Sequence, residues 1–209
     1  MKKAPDISIS RLSKYLRFLE EYTKDKDSKS TINSAELANF LEINPHQIRK
    51  DLSYFGKFGE RGVGYKIDEL KDKIARILGL NKEWNLCLCG MGNLGQALFA
   101  YRGFKQMRLN IVAIFDNSSK KIGKEVQGVE VYGTDAVGRI VKAKQIDIAV
   151  LAVPSPAAQQ VADKLVAAGI RAILNFAPAK LSVPKEVKLR NVDLSTELIN
   201  LTYFLSRLN

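Results

Sequence analysis

Histidine is almost missing from this chain: His46 is the only one in 209 residues, and there are just two cysteines, Cys87 and Cys89. With a lone histidine and no second cysteine pair to complete a tetrahedral site, no zinc site is expected. Cys87 and Cys89 lie two apart on a predicted strand, which puts both side chains on one face with Cα atoms about 6.7 Å apart at strand rise. That spacing is near the upper limit for a disulfide, and small buried hydrophobes of a central parallel strand explain the pair better than a redox couple. No apolar run approaches the roughly twenty residues needed to span a bilayer. The opening Met-Lys-Lys leads into Pro and Asp and not into an apolar segment, so a cytoplasmic protein is expected. Acidic residues are also scarce, with 22 Asp and Glu against 33 Lys and Arg, a net charge of +11 that suggests a polyanionic partner. The surplus is spread out, 16 basic against 12 acidic residues in 1–80 and 17 against 10 in 81–209, so charge alone does not locate a binding face. Length and a 46% hydrophobic content suit two modest domains.

What is present is a glycine loop in context. Gly90-Met91-Gly92-Asn93-Leu94-Gly95 directly follows the apolar run 86–89 and reads as strand, turn and helix start. In a dinucleotide site Gly90 makes the tight turn, Gly92 lets backbone approach a pyrophosphate, and Gly95 lets the helix over 93–102 pack on its strand. The N-H groups of the helix start then face the anion. The next apolar run, 109–115, ends at Asp116, about twenty residues on, where an acid accepts hydrogen bonds from a ribose.

Ahead of this lies a different pattern. Residues 8–22 repeat apolar side chains at Ile9, Leu12, Leu16 and Leu19, flanked by Tyr15 and Tyr22, which is helical spacing. After a polar linker, Asn33 and Glu36 suit a capped short helix, and Asn44-Pro45-His46-Gln47 starts another. The second helix turns Ile48, Leu52 and Phe55 inward and leaves His46, Gln47, Arg49, Lys50, Ser53 and Tyr54 for solvent or a partner. Two short helices of this kind make a helix-turn-helix, with Arg49 or Lys50 reaching guanine or phosphate and Gln47 an adenine edge. A solvated helix face would explain the same residues. Residues 56–66 then predict a glycine-punctuated hairpin with a basic tip, a wing for the phosphate backbone through Lys57, Phe58, Arg61, Gly62 and Tyr65. A helix from Asp68 stops at Gly79, where the domain boundary is placed.

Residues 85–192 alternate strands (85–90, 109–115, 146–153, 170–175, 187–192) with helices (93–102, 134–143, 155–168), a doubly wound parallel sheet. Ala152, Val153 and Pro154, and Asn175, Phe176, Ala177 and Pro178, fall at strand carboxyl ends and are further candidate contacts for adenine or nicotinamide. In the tail, Leu194, Leu198, Leu201, Leu205 and Leu208 form a narrow apolar seam, with Ile199 and Phe204 adding apolar surface. Docking on the chain's own core is one use of such a helix; a dimer helix is the favoured one.

Taken together, the string 47–56, Arg61-Gly62-Val63-Gly64-Tyr65, the glycine loop, Phe115-Asp116 with Lys121-Ile122-Gly123, and Asn175-Phe176-Ala177-Pro178 resemble the Rex family of redox-sensing transcriptional repressors over essentially the whole chain. Asn33-Ser34 stands where that family often has two small hydroxyl residues, a change that keeps capping ability. The resemblance implies an α/β protein: a winged helix-turn-helix over 1–79, a Rossmann-like NAD(H)-binding domain over 80–192, and a C-terminal helix over 193–209 swapped between subunits. It further implies a homodimer on palindromic operator DNA, released by NADH and so reading the NADH/NAD+ ratio. The cofactor set then comprises residues 90–95, Asp116, Asn117, Lys121, Gly123, residues 152–154 and residues 175–178. Arg17, Tyr101 and Asp193 are candidate links between domain and partner subunit, with Leu198, Leu201, Phe204 and Leu205 at the dimer contact. Competing classes are a small nicotinamide-dependent dehydrogenase, for which no substrate domain is left after residue 192, and a nucleotide-binding module without DNA, which leaves the wing unexplained.

Overall fold

The structure, a computed structural model, describes residues 4–25, 29–60 and 62–207. It divides into two compact units, Met1–Lys82 and Glu83–Asn209. The break falls three residues beyond the expected boundary, because Leu80 closes the preceding helix by donating from its N-H to the Ala75 carbonyl (2.8 Å) and packs on the first unit's core.

In the first unit, α1 (Asp6–Tyr22) packs against α2 (Ser34–Leu41), α3 (Pro45–Ser53) and α4 (Ile67–Ile77), and β1 (Thr31–Ile32) pairs antiparallel with β2 (Tyr65–Lys66). Leu12, Leu16 and Leu19 meet Leu37, Ile48, Leu52, Leu70 and Ile74 in one core. The helix starts follow local rules. Asn33 caps α2 through the N-H groups of Ala35 and Glu36 while Glu36 reaches back to the Asn33 N-H, a complete capping box. Asn44 caps α3 through the His46 N-H, with Pro45 in the first turn.

Two expectations change here. Ile9 is 40% exposed and Ser8 is buried in its place, because the start of α1 turns a polar stripe inward toward α3. The wing's hairpin is shorter than expected: among the described residues it is tied by one antiparallel bridge, Glu60 to Gly64, and its outgoing strand β2 pairs with β1. Gly56, Gly59, Gly62 and Gly64 all have positive φ, so the segment coils where an extended arm would be needed.

The second unit carries β3 (Trp84–Cys89), α5 (Asn93–Ala100), α6 (Arg102–Gln106), β4 (Leu109–Asp116), β5 (Glu125–Val126), β6 (Val129–Gly133), α7 (Val137–Ala143), β7 (Ile148–Leu151), α8 (Ser155–Ala167), β8 (Ala172–Asn175), β9 (Lys188–Asn191) and α9 (Leu194–Leu205). Its seven strands run in the order β5-β6-β4-β3-β7-β8-β9, parallel throughout except for β5 against β6. Leaving out the edge strand β5, this is the doubly wound order 3-2-1-4-5-6, whose switch point falls between β3 and β7. Alternation along β3 sends Cys87 and Cys89 into one core and Leu86 and Leu88 into the other, across the sheet. Both thiols are free and buried. The pairing of β5 with β6, unexpected from sequence, is turned by Gln127 and Gly128, both at positive φ as a type I′ hairpin requires. The helix expected over 93–102 ends at Ala100, where extended Tyr101 separates it from α6. No helix of the described residues is long and apolar enough to cross a membrane.

Candidate nucleotide and nucleic-acid sites

One candidate site is a cavity of about 510 Å³ at the switch point, within the usual range for small-ligand sites. Its rim begins with the loop after β3. Gly90 has φ +93°, and a Cβ there would come 2.5 Å from the Ala152 carbonyl oxygen, so the loop after β3 and the one after β7 touch only because Gly90 has no side chain. A Cβ on Gly95 would collide with the Gly90 carbonyl, whereas one on Gly92 would meet nothing within 4 Å. Gly95 thus holds helix to strand and Gly92 faces open space, which is the division of labour a pyrophosphate loop needs.

Asp116, at the end of β4, fastens this loop from below. Its Oδ2 accepts from the Met91 N-H at 2.8 Å and from Lys121 Nζ at 3.1 Å, and its Oδ1 accepts from the Ser118 N-H at 2.8 Å. Lys121 Nζ also donates to the Met91 carbonyl at 2.9 Å. Burial pushes the Asp116 carboxyl up, but the Ser118 and Met91 N-H groups and Lys121 outweigh it and hold the carboxyl below its usual range. A carboxylate offers about four acceptor positions, so three protein donors leave room for one more, such as a ribose hydroxyl.

Thirteen expected contacts line the cavity: residues 90–94, Asp116, Asn117, Lys121, residues 152–154, Phe176 and Pro178. Four others do not. Gly95 sits behind Gly90. Gly123 bonds to the Val131 carbonyl at the start of the β5-β6 excursion. Asn175 is buried, its amide bridging the Ala177 and Ala179 carbonyls and Asn191 while its oxygen accepts from the Ala177 N-H; it braces the loop that carries Phe176 and Pro178, and Ala177 is buried with it. Sequence reasoning passed over Cys89, Ser118, Thr134 and Gln160, which also line the cavity. Thr134 follows β6, so the Gln127-Gly128 turn was the available signal for it. Cys89 forms part of the floor, where a hydrogen bond with Cys87 and then burial raise its thiol well above the ordinary range.

In the first unit, α3 exposes His46, Arg49, Lys50 and Ser53, while Tyr54 is half-buried. Gln47 departs from the expected outward position: it is half-buried and its Nε2 donates to Asp51 Oδ1 at 2.9 Å. Arg49 Nη1 donates to Ser34 Oγ at 2.7 Å across a groove of about 430 Å³ between α3 and the wing, lined also by Lys57, Phe58, Gly62 and Tyr65. Burial raises the Tyr65 phenol, with Arg49 acting in the opposite sense. Arg61 and Leu208 lie outside the described residues.

The residue sequence reasoning missed in this unit is Asp51. Its carboxylate has no exposed surface and takes five hydrogen bonds: from Ser8 Oγ (2.8 Å), Arg11 Nε (2.5 Å) and Nη2 (2.7 Å), Tyr15 OH (2.7 Å) and Gln47 Nε2 (2.9 Å). Burial works against the charge, yet Arg11, Tyr15, Ser8 and Gln47 outweigh it and bring the carboxyl down to about 2.

The apolar residues of α9 find no core. Leu198 is 65% exposed, Leu201 57%, Phe204 64% and Leu205 62%. Asp193 caps this helix, accepting from the Ser195 and Thr196 N-H groups. Arg17 and Tyr101 are exposed, Tyr101 packing edge-on against Phe104 at 5.2 Å.

Comparisons with known proteins agree with this layout. Residues 81–179 match the family model described as CoA binding domain, and residues 3–53 match that described as "Putative DNA-binding protein N-terminus". The redox-sensing transcriptional repressor Rex of Desulfitobacterium hafniense is 50% identical over 201 residues, covering 96% of this chain and 95% of that protein. That of Desulforamulus reducens is 47% identical over 204 residues, 98% and 96% of the two chains. Among solved structures, RSP, a Rex-family repressor, in complex with β-NAD+ and operator DNA superposes with a TM-score of 0.92 at 40% identity, covering 99% of this chain and 94% of that one. Its complex with β-NADH gives 0.88 at 39% identity, covering 99% and 96%.

Proposed function

The chain belongs to the Rex family of redox-sensing transcriptional repressors, and from that premise we propose how its two units divide the work. It is a DNA-binding repressor that senses NAD+ and NADH. In our reading the dinucleotide lies across the switch point, its pyrophosphate on the loop 90–95 and its adenosine ribose on the remaining acceptor position of Asp116. The observation that carries this is the loop itself, held open toward a 510 Å³ cavity by Asp116 and Lys121. The nicotinamide then falls toward Val153, Pro154, Phe176 and Pro178, which give apolar walls. A positively charged ring loses more on leaving water than a neutral one, and a thousandfold preference for NADH requires only about 4 kcal/mol. The match to a CoA-binding model reflects the shared sheet, and a fold does not choose its ligand.

DNA recognition is assigned to α3 and the wing: Arg49 and Lys50 reach base edges or phosphates, and Lys57, Arg61 and Tyr65 follow the backbone. A second copy of the chain covers the exposed apolar side of α9, giving a homodimer that matches a palindromic operator. Arg17, Tyr101 and the α9 cap Asp193 are the proposed links between domain and partner subunit. We assign no reaction to the cavity. Its titratable side chains are Cys89, Asp116 and Lys121, of which the last two are occupied with holding the loop and the thiol is raised. Residence in the cytoplasm follows from the role.

A gel-shift titration tests this. On a palindromic operator duplex the protein should bind without NADH and be released as NADH is added, with NAD+ far less effective. Binding that ignores NADH overturns the sensor reading, and steady oxidation of NADH with common oxo acids would replace it with an enzyme.

A further inference from the structure

Of the four side chains that donate to Asp51, three come from α1: Ser8, Arg11 and Tyr15, spaced along one face of that helix. The fourth is Gln47, one turn before Asp51 on α3 itself and the only one of them that belongs to the DNA-facing helix. A primary amide has two chemically opposite ends, an NH2 group that donates and a carbonyl oxygen that accepts. Asp51, paired with the guanidinium of Arg11, is a carboxylate and accepts only. The end of Gln47 held against it is therefore the NH2 group, since the reverse orientation would set Oε1 against Oδ1.

We propose that Asp51 is a positioning residue for base preference: by holding the Gln47 NH2 inward, it leaves Oε1 as the outward acceptor. The helix then favours, at one operator position, a base presenting an exocyclic amine in the major groove, adenine N6 or cytosine N4, over the keto oxygens of thymine and guanine. The three α1 donors hold the carboxylate in place, so the amide cannot turn by dragging Asp51 with it. The selectivity of α3 is thereby set from its buried side. This rests on α3 being the recognition helix.

The test is selection of bound duplexes from a library randomised across the operator half-site, with the full-length wild type, Gln47→Ala, Asp51→Asn, Arg49→Ala and Lys50→Ala. The wild type should show one position held to adenine or cytosine, and the base recovered there says which amine is read. Gln47→Ala should relax that position about tenfold and leave the others unchanged. Asp51→Asn offers Gln47 either an oxygen or an NH2, so the same position should admit thymine or guanine, a shift that a general loss of stability would not produce. A Gln47→Ala profile identical to wild type, a relaxed position that had preferred a keto base, or an Asp51→Asn protein that keeps the amine preference would each overturn the proposal. Should Asp51→Asn not fold, the Gln47→Ala profile decides alone. If Arg49→Ala and Lys50→Ala both leave affinity untouched, the assignment of α3 fails instead, a different outcome from intact α3 contacts without the Gln47 effect.

Discussion

Each unit is organised around one buried carboxylate, and the two are used in opposite ways. Asp51 has no exposed surface and five hydrogen bonds, more than its acceptor positions can readily hold. Asp116 has three and lines a cavity, so by count one acceptor position is left for a ligand. A saturated carboxylate braces helices; an unsaturated one beside a cavity can bind. Acceptor capacity, more than charge or burial, separates the structural acid from the one proposed to bind the ligand.

The sharpest way to break this contrast is to delete each carboxylate. Asp51→Ala leaves Arg11, only 17% exposed, without its counter-charge, and should cost the first unit about 3 to 5 kcal/mol in denaturant unfolding. Asp116→Ala should leave operator binding in the absence of nucleotide intact and weaken NADH by about 2 kcal/mol, roughly thirtyfold, measured by fluorescence titration. Equal losses of stability in the two variants would erase the distinction.

Acid sharpens it further. Asp51 titrates at about 2 when folded against an ordinary 3.8, so its stabilising effect is complete above about pH 4 and disappears as pH falls toward 2. Melting of the first unit should become less cooperative and shift downward over that window. Asp51→Asn should flatten this segment, whereas Asp116→Asn should leave it in place.

The smallest effect concerns backbone. Gly90 takes positive φ where a Cβ would strike Ala152, while Glu42, in the turn between α2 and α3, takes φ +54° with a side chain that is exposed. Glu42→Gly should raise stability by about 0.5 to 1 kcal/mol in a thermal melt, and Gly90→Ala should lower it. A loss on Glu42→Gly would mean that the carboxylate has a role that the backbone strain hides.

What could be read in advance follows the range of the interaction. The capping box of Asn33 with Glu36, the start of α3 at Asn44-Pro45, and the run from β3 through Gly95 are set by neighbours within a few residues, and each appears in the structure where its local rule puts it. The partners of Asp51 on α1 lie 36 to 43 residues away, and no spacing rule connects an acid on one helix with a Ser, Arg and Tyr on another. The inward turn of Ser8, the half-burial of Gln47 and the loss of Ile9 from the core all follow from that unseen meeting. In the sheet, β6 was hidden because Val129–Gly133 is short and its turn uses Gln127 where Asn is more usual. From sequence Asn175 reads as a ligand contact, because a strand end looks the same whether its side chain turns to the cavity or back into the loop, where it lies.

The double hold on Met91 has a consequence in time. Its N-H is bound by Asp116 and its carbonyl by Lys121, both groups of the chain itself, so a molecule docking on this loop would need no contact of its own to shape it. Arrival rates in such a case are governed by diffusion and differ little between related ligands, whereas departures differ widely. If the nucleotide docks on this loop as proposed, the delay with which the switch follows a change in its surroundings would be the dwell time of the seated molecule, and a substitution that loosened Lys121 would be felt first as a change of tempo.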